Sequence, residues 1–217
     1  MALIDQEPTE PARRGGRPTR AEASLLGDRI CDAAQALFLS RGYGATSIEA
    51  VAGRARISKR TLYSRFRDKP DLFRAVIHRM LQRWLPNFEQ AVDEDVPLKY
   101  RLVGAARQML AVALLPDALA LRRLLLAEAE RFPELVQIAV EQGAARGIER
   151  IAALLEAETK AGNLAVSDCR FAAIQFQDMV LAAPQRRAMG FGVPMSEAEL
   201  NEWARRAVAL FLGGCTA

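Results

Sequence analysis

One histidine and three cysteines in 217 residues leave this chain poor in the groups that carry most enzyme chemistry. Cys31, Cys169 and Cys215 are odd in number and far apart, with no Cys-x-x-Cys and no His–Cys spacing. Neither a disulfide framework nor a zinc site is encoded by such a set, and a reducing compartment suits it. His78 has no nucleophile or base near it in sequence and falls off the apolar stripe of its segment, as a surface residue does. Carboxylate pairs at useful spacing and a phosphate-cradling glycine loop are also missing, which makes a helical enzyme the weakest reading. No apolar run approaches the ~20 residues that span a bilayer, and the N-terminus has no apolar core with a cleavage signal. A cytoplasmic protein with no membrane partner, no metal and no cofactor is expected.

What the chain does have is apolar mass and unevenly placed charge. Half of it, 51%, is hydrophobic, enough for a substantial core, although only 6% is aromatic. The net charge of +4 conceals a strong bias: residues 11–20 carry +4 and 41–69 carry +6, whereas 70–217 carry −1. Charge gathered in this way points to a polyanion as partner of the N-terminal part alone.

Residues 1 to 20 combine prolines, paired glycines and arginines, and cannot bury enough apolar area to order themselves. The run RRGGRP at 13–18 reads either as a plain solvated tail or as an arm thin enough for a narrow A·T minor groove. From 22 to 41, Leu26, Ile30, Ala34, Leu37 and Phe38 recur at helical spacing, and Gly42 ends that helix.

The stretch TSIEAVAGRARISKRTLYSRFRDK, 46–69, then predicts two short helices joined by a tight turn. Thr46 or Ser47 can cap the first, with Glu49 placed to complete a capping box on Thr46. Ser58 caps the second, in which Leu62 and Phe66 face inward and Lys59, Arg60, Thr61, Tyr63 and Ser64 crowd the remaining surface. At the turn, where positive φ favours glycine, stands Arg56. Two inward anchors under a basic, hydroxyl-rich face suit a major groove.

Extended through KPDLFRAV, this segment resembles the DNA-binding domain of TetR-family transcriptional regulators, over about residues 22–77. The resemblance implies that Tyr63 and Lys69 clamp backbone phosphates, that Thr46 and Ser47 lie at a phosphate, and that Lys59, Arg60, Thr61 and Ser64 read bases. Arg60 and Arg65 depart from the glycine and aromatic common at those places. The segment LLLAEAERFPELVQ, 124–137, is similar to the C-terminal body of a subgroup of that family.

Everything after 69 predicts further helices, so the fold expected is all-α: a basic arm at 1–20, a three-helix helix-turn-helix domain at 21–69, and a helical-bundle body at 70–217. Pro70 opens a helix whose stripe is Phe73, Val76, Ile77, Met80, Trp84 and Phe88, with Pro86 kinking or ending it. An acidic break at 93–97 follows, then helices to Pro116, from 119 to 131, and one long helix from Pro133 to Gly162. The last two run from about 167 to 183 and from 196 to 212, with Pro184 in the connection.

An effector pocket is expected between the connecting helix and those after it. Its candidates are Trp84, Phe88, Met109, Leu110, Leu124, Glu128, Ile148, Ile151 and Met179, each open to the alternative of plain core. The resemblance places a dimer interface on the last two helices. Phe171, Ile174, Gln175, Trp203, Ala207, Leu210 and Phe211 are its candidates, against ordinary intrachain packing. The function expected is a homodimeric repressor on palindromic double-stranded operator DNA, released by a small apolar or amphiphilic effector. An architectural DNA binder without effector control is the alternative.

Overall fold

The computed structural model describes residues 20–84 and 96–215. The expected basic arm, Pro86, Phe88 and most of the acidic break at 93–97 lie outside those residues. Among the described residues the chain is all-helical, with no strand. The order is α1 (Arg20–Arg41), α2 (Ile48–Ala55), α3 (Lys59–Tyr63), α4 (Lys69–Trp84), α5 (Leu98–Ala113), α6 (Pro116–Glu128), α7 (Pro133–Ala139), a π turn (Val140–Ala144), α8 (Ala145–Lys160), α9 (Cys169–Ala188) and α10 (Glu197–Gly213).

Local chemistry sets most of the boundaries. Gly42 (φ 87°) follows α1, and Gly162 (φ 80°) lies two residues past the end of α8. Pro116 and Pro133 occupy the first turns of α6 and α7, where a missing N–H leaves no bond unmade. Ser196 and Glu199 form a complete capping box on α10, and the two hydrogen bonds from Ser196 hold the Glu199 carboxyl below its ordinary pKa.

Two expectations fail here. The helix from 133 to 162 is interrupted by the π turn, whose extra residue re-aims the faces of α7 and α8 relative to each other. Pro184 lies not in a connection but inside α9, which continues to Ala188. Its ring is buried, and the Val180 carbonyl that it leaves without a helical donor accepts the Trp203 indole N–H at 2.9 Å instead.

Two buried cores divide the chain. The first joins α1, α2, α3 and α4 to Leu121 and Leu124 of α6 and Leu135 and Ile138 of α7. The second joins α5, α8, α9 and α10 around Phe176, Leu102, Leu155 and Val208. A core boundary therefore does not fall at 69/70, because α4, α6 and α7 share the apolar interior of the helix-turn-helix unit. Polar ties reinforce both. Arg79 of α4 pairs with Asp28 (3.0 Å) and Asp32 (3.1 Å) of α1, and Arg101 of α5 pairs with Glu158 of α8 at 2.8 Å in a nearly buried site.

Candidate nucleic-acid interface

Two inward side chains seat α3. Leu62 is fully buried and Phe66 partly so, both on the first core. Ser58 begins the helix: its Oγ accepts the Thr61 N–H at 3.1 Å and lies 2.8 Å from the Thr61 hydroxyl. The Ser64 hydroxyl donates to the Thr61 carbonyl at 2.8 Å. What remains outward is Lys59, Arg60, Thr61, Tyr63 and Ser64, with Arg65 and Arg67 just past the helix. Tyr63 is 53% exposed, so its ring is not a packing element of the motif.

The turn before α3 adopts the strained geometry expected of it. Arg56 has φ 55° and ψ 50°, the left-handed region, where a residue with a Cβ costs about 1 kcal/mol. Its backbone N–H caps α2 by bonding to the carbonyls of Ala52 and Gly53. Among the described residues it is the only non-glycine with positive φ.

The caps of α2 correct the expectation for Thr46. Ser47 is the N-cap, its Oγ accepting from the Ala50 N–H at 3.1 Å, and it is exposed. Thr46 is buried, with its hydroxyl donated to the Gly42 carbonyl at 2.8 Å. It braces the loop after α1 and has no free group for a phosphate. Glu49 makes no capping box on Thr46 either. Its carboxylate pairs with Lys59 across the α2–α3 turn, and the hydrogen bond from Lys59 holds the carboxyl below its usual pKa.

Lys69, at the start of α4, lies with its ammonium 4.2 Å from the centroid of the buried Tyr43 ring. Burial lowers its pKa, and the Glu128 carboxylate works in the opposite direction. Burial raises the Tyr43 phenol to about 12, helped by Glu134, Asp68 and Glu128. Tyr43 also meets Phe132, the residue before α7, edge-on at 4.9 Å, so the loop after α1, the start of α4 and the α6–α7 connection form one packed junction.

Behind this head lies a cleft of about 330 Å³, bounded by Leu81 and Trp84 of α4, Met109 and Val112 of α5, Arg122 of α6, Gly143 and Gly147, and Gln177, Leu181 and Gln185 of α9. Trp84 and Met109 are the expected pocket residues that reach it. Leu110, Leu124 and Ile151 are core, Ile148 packs on the second core, and Phe88 lies outside the described residues. Glu128 lies at the junction with the head, and Met179 lines a separate groove of about 350 Å³ with Trp203, Arg206 and Leu210. The glycines four apart and the Gln177 and Gln185 amides are what sequence reasoning missed. The signal available was the pair Gly143 and Gly147 in an otherwise alanine-rich helix.

On α9 and α10, Phe171 (59%) and Leu210 (70%) are exposed, as is Gln175, and Ile174 is half-buried. Ala207 and Phe211 are buried instead, Phe211 meeting Phe176 edge-on at 5.1 Å, so both belong to the intrachain core. Trp203 donates its indole N–H to the Val180 carbonyl at 2.9 Å, which locks α10 on α9.

Comparison with known proteins gives this geometry a family. Residues 30–76 match the N-terminal domain described as bacterial regulatory proteins, tetR family, and residues 100–214 match the C-terminal domain described as AefR-like transcriptional repressor. A solved TetR-family transcriptional regulator from Mesorhizobium loti is 32% identical, covering 92% of this chain and 100% of that one, with a TM-score of 0.77. The solved flavonoid-responsive regulator FrrA is 28% identical, covering 89% and 98%, with a TM-score of 0.79. The transcriptional activator FasR of Mycolicibacterium smegmatis is 32% identical over 101 residues, 46% of this chain, and the match spans only 45% of FasR. The basic helix pair and the helical body behind it are two parts of one known architecture, and the chain belongs to the TetR family of bacterial transcriptional regulators.

Proposed function

We propose that this chain is a homodimeric, sequence-specific DNA-binding repressor, active in the cytoplasm, which a small amphiphilic effector releases from a palindromic operator. The observation that carries the reading is the outer face of α3, where cations and hydroxyls stand exposed over a fully buried Leu62. Arg60 and Thr61 lie at the N-terminal end of the helix, where recognition helices meet base edges, and Lys59 joins them once it exchanges Glu49 for DNA. Ser47, Tyr63 and Ser64 serve backbone phosphates or adjacent bases, and Lys69 reaches a phosphate by leaving the Tyr43 ring.

Effector control is favoured over a purely architectural role by the cleft behind α4. Its Trp84 and Met109 walls, bare Gly143 and Gly147 backbone, and Gln177 and Gln185 amides suit a flat molecule with a few hydrogen-bonding groups. FrrA is named as flavonoid-responsive, which makes hydroxylated aromatics the first class to test. An effector acts by binding the DNA-incompetent conformation better than the competent one. Recovering bound duplexes from a random pool, then measuring affinity with and without hydroxylated aromatics, tests both halves. No enrichment over random DNA at moderate salt overturns the repressor, and enrichment without effector sensitivity leaves the architectural role.

A further inference from the structure

The arginines at the turn of the helix pair form a surface that the recognition-helix account leaves unused. Arg29, Asp32 and Ala33 of α1 face Arg54, Ala55 and Arg56 across a cleft of about 470 Å³ at the end of α2. All three arginines are exposed. Arg29 is fixed in place, donating through Nη2 to the Ala55 carbonyl at 3.0 Å. The guanidinium groups of Arg54 and Arg56 have no hydrogen-bond or ion-pair partner among the described residues. Asp32, the one carboxylate of the cleft, is already held by Arg79 at 3.1 Å and Arg83 at 2.9 Å, so it does not neutralise them.

Arg56 adds a second, independent observation. Glycine occupies left-handed backbone without strain, yet this chain keeps an arginine there with its side chain free and exposed. Strain of this kind persists where the residue has a use. Arg56 also stands two residues before Ser58, the cap of α3, so the cleft borders the helix end that enters the groove. A major groove is about 12 Å wide and rimmed by phosphates, which places a backbone rim beside whatever flanks an inserted helix.

We propose that Arg29, Arg54 and Arg56 form a second phosphate-binding surface, which grips the DNA backbone outside the base pairs read by α3. The inference rests on the DNA-binding reading. Its occupant is the phosphodiester backbone, because the cleft's one carboxylate, Asp32, is already engaged by Arg79 and Arg83, and the cleft flanks the end of α3 instead of lying on the helix face that enters the groove. The surface adds affinity and salt dependence to every duplex and adds no sequence preference.

The test uses the full chain and a duplex recovered from a random pool, beside a scrambled duplex of equal length, titrated over a range of salt. Arg56→Gly removes the cation and the backbone strain together, so its thermal midpoint holds or rises while its affinity falls. The expected result is a loss of about fivefold on both duplexes, with the salt slope reduced by about 0.9 per phosphate released. Arg54→Ala added to Arg56→Gly deepens both effects. Trimming base pairs outside the selected site shrinks the difference between wild type and variant. Arg56→Gly with wild-type affinity and slope overturns the proposal, and so does a loss confined to the selected duplex, which marks a base contact. A wild type that binds no duplex overturns the DNA-binding reading and this surface with it.

Discussion

The Glu128 carboxylate accepts the backbone N–H of Gly44 at 2.8 Å, joining the last residue of α6 to the loop that follows α1. Glu128 is buried, and a Cβ on Gly42 would stand 3.1 Å from its Oε1, so the loop closes around the carboxylate. Replacing it by alanine leaves a part-buried N–H without its acceptor and Lys69 without its nearby anion. Glu128→Ala is expected to lose about 2 kcal/mol in urea unfolding, and Glu128→Gln, which keeps an acceptor oxygen, clearly less. Equal losses would show that charge, not the hydrogen bond, is what the loop requires.

Lys59 is committed to Glu49 in the free protein, so part of the positive charge of the recognition helix is neutralised before DNA arrives. Removing the competitor frees it. Glu49→Gln is expected to tighten binding to all duplexes several-fold and to steepen the salt dependence by about one unit of slope. The pair is exposed, so stability should stay close to that of wild type. Fluorescence anisotropy across a salt series reads the first effect and thermal unfolding the second.

Alkaline pH should loosen the head. Burial raises the Cys31 thiol from 9.0 to about 11 and the Tyr43 phenol from 10.0 to about 12. Both groups keep their protons longer in the folded chain than in the unfolded one. Their contribution to stability is therefore complete below pH 9 and declines as pH climbs through 11 and then 12. Cys31→Ala should remove the earlier part of that decline. Urea midpoints collected from pH 8 upward for wild type and variant provide the comparison.

Features that act through their own backbone were legible in the sequence. Gly42, Pro70, Pro116, Pro133, Gly162 and Ser196 stand at or beside the boundaries expected of them, and Arg56 takes the left-handed turn position. What depends on tertiary partners was not legible. Thr46 and Ser47 are equally good caps on paper, and only the Gly42 carbonyl above Thr46 decides between them. Helical spacing marks Phe211 and Leu210 alike as apolar, but it cannot say which meets Phe176 and which meets solvent. A pocket behind α4 was expected and Trp84 and Met109 reach it, but the rest of its lining escaped for the same reason, since it comes from four helices and two glycines with no side chain.

Leu210 and Phe211 are neighbours on α10 with opposite roles, which gives the dimer surface a direct test. Phe211 is enclosed against Phe176, so Phe211→Ala opens a cavity in the second core and should cost about 3–5 kcal/mol. Leu210 is 70% exposed beside a groove lined by Met179, Trp203 and Arg206, and it lies on the same helix pair as the exposed Phe171. Leu210→Arg removes no packing from the isolated chain and should leave its unfolding near that of wild type under conditions where both are monomeric. In a dimer built on α9 and α10 the same change buries an unpaired cation on each side of the two-fold axis. Sedimentation should then show Leu210→Arg as a monomer at concentrations where wild type is a dimer, with Phe171→Glu behaving alike. Operator affinity should fall with it, because one head alone reads half a palindrome. A Leu210→Arg protein that stays dimeric and binds DNA normally would place the interface elsewhere on the body.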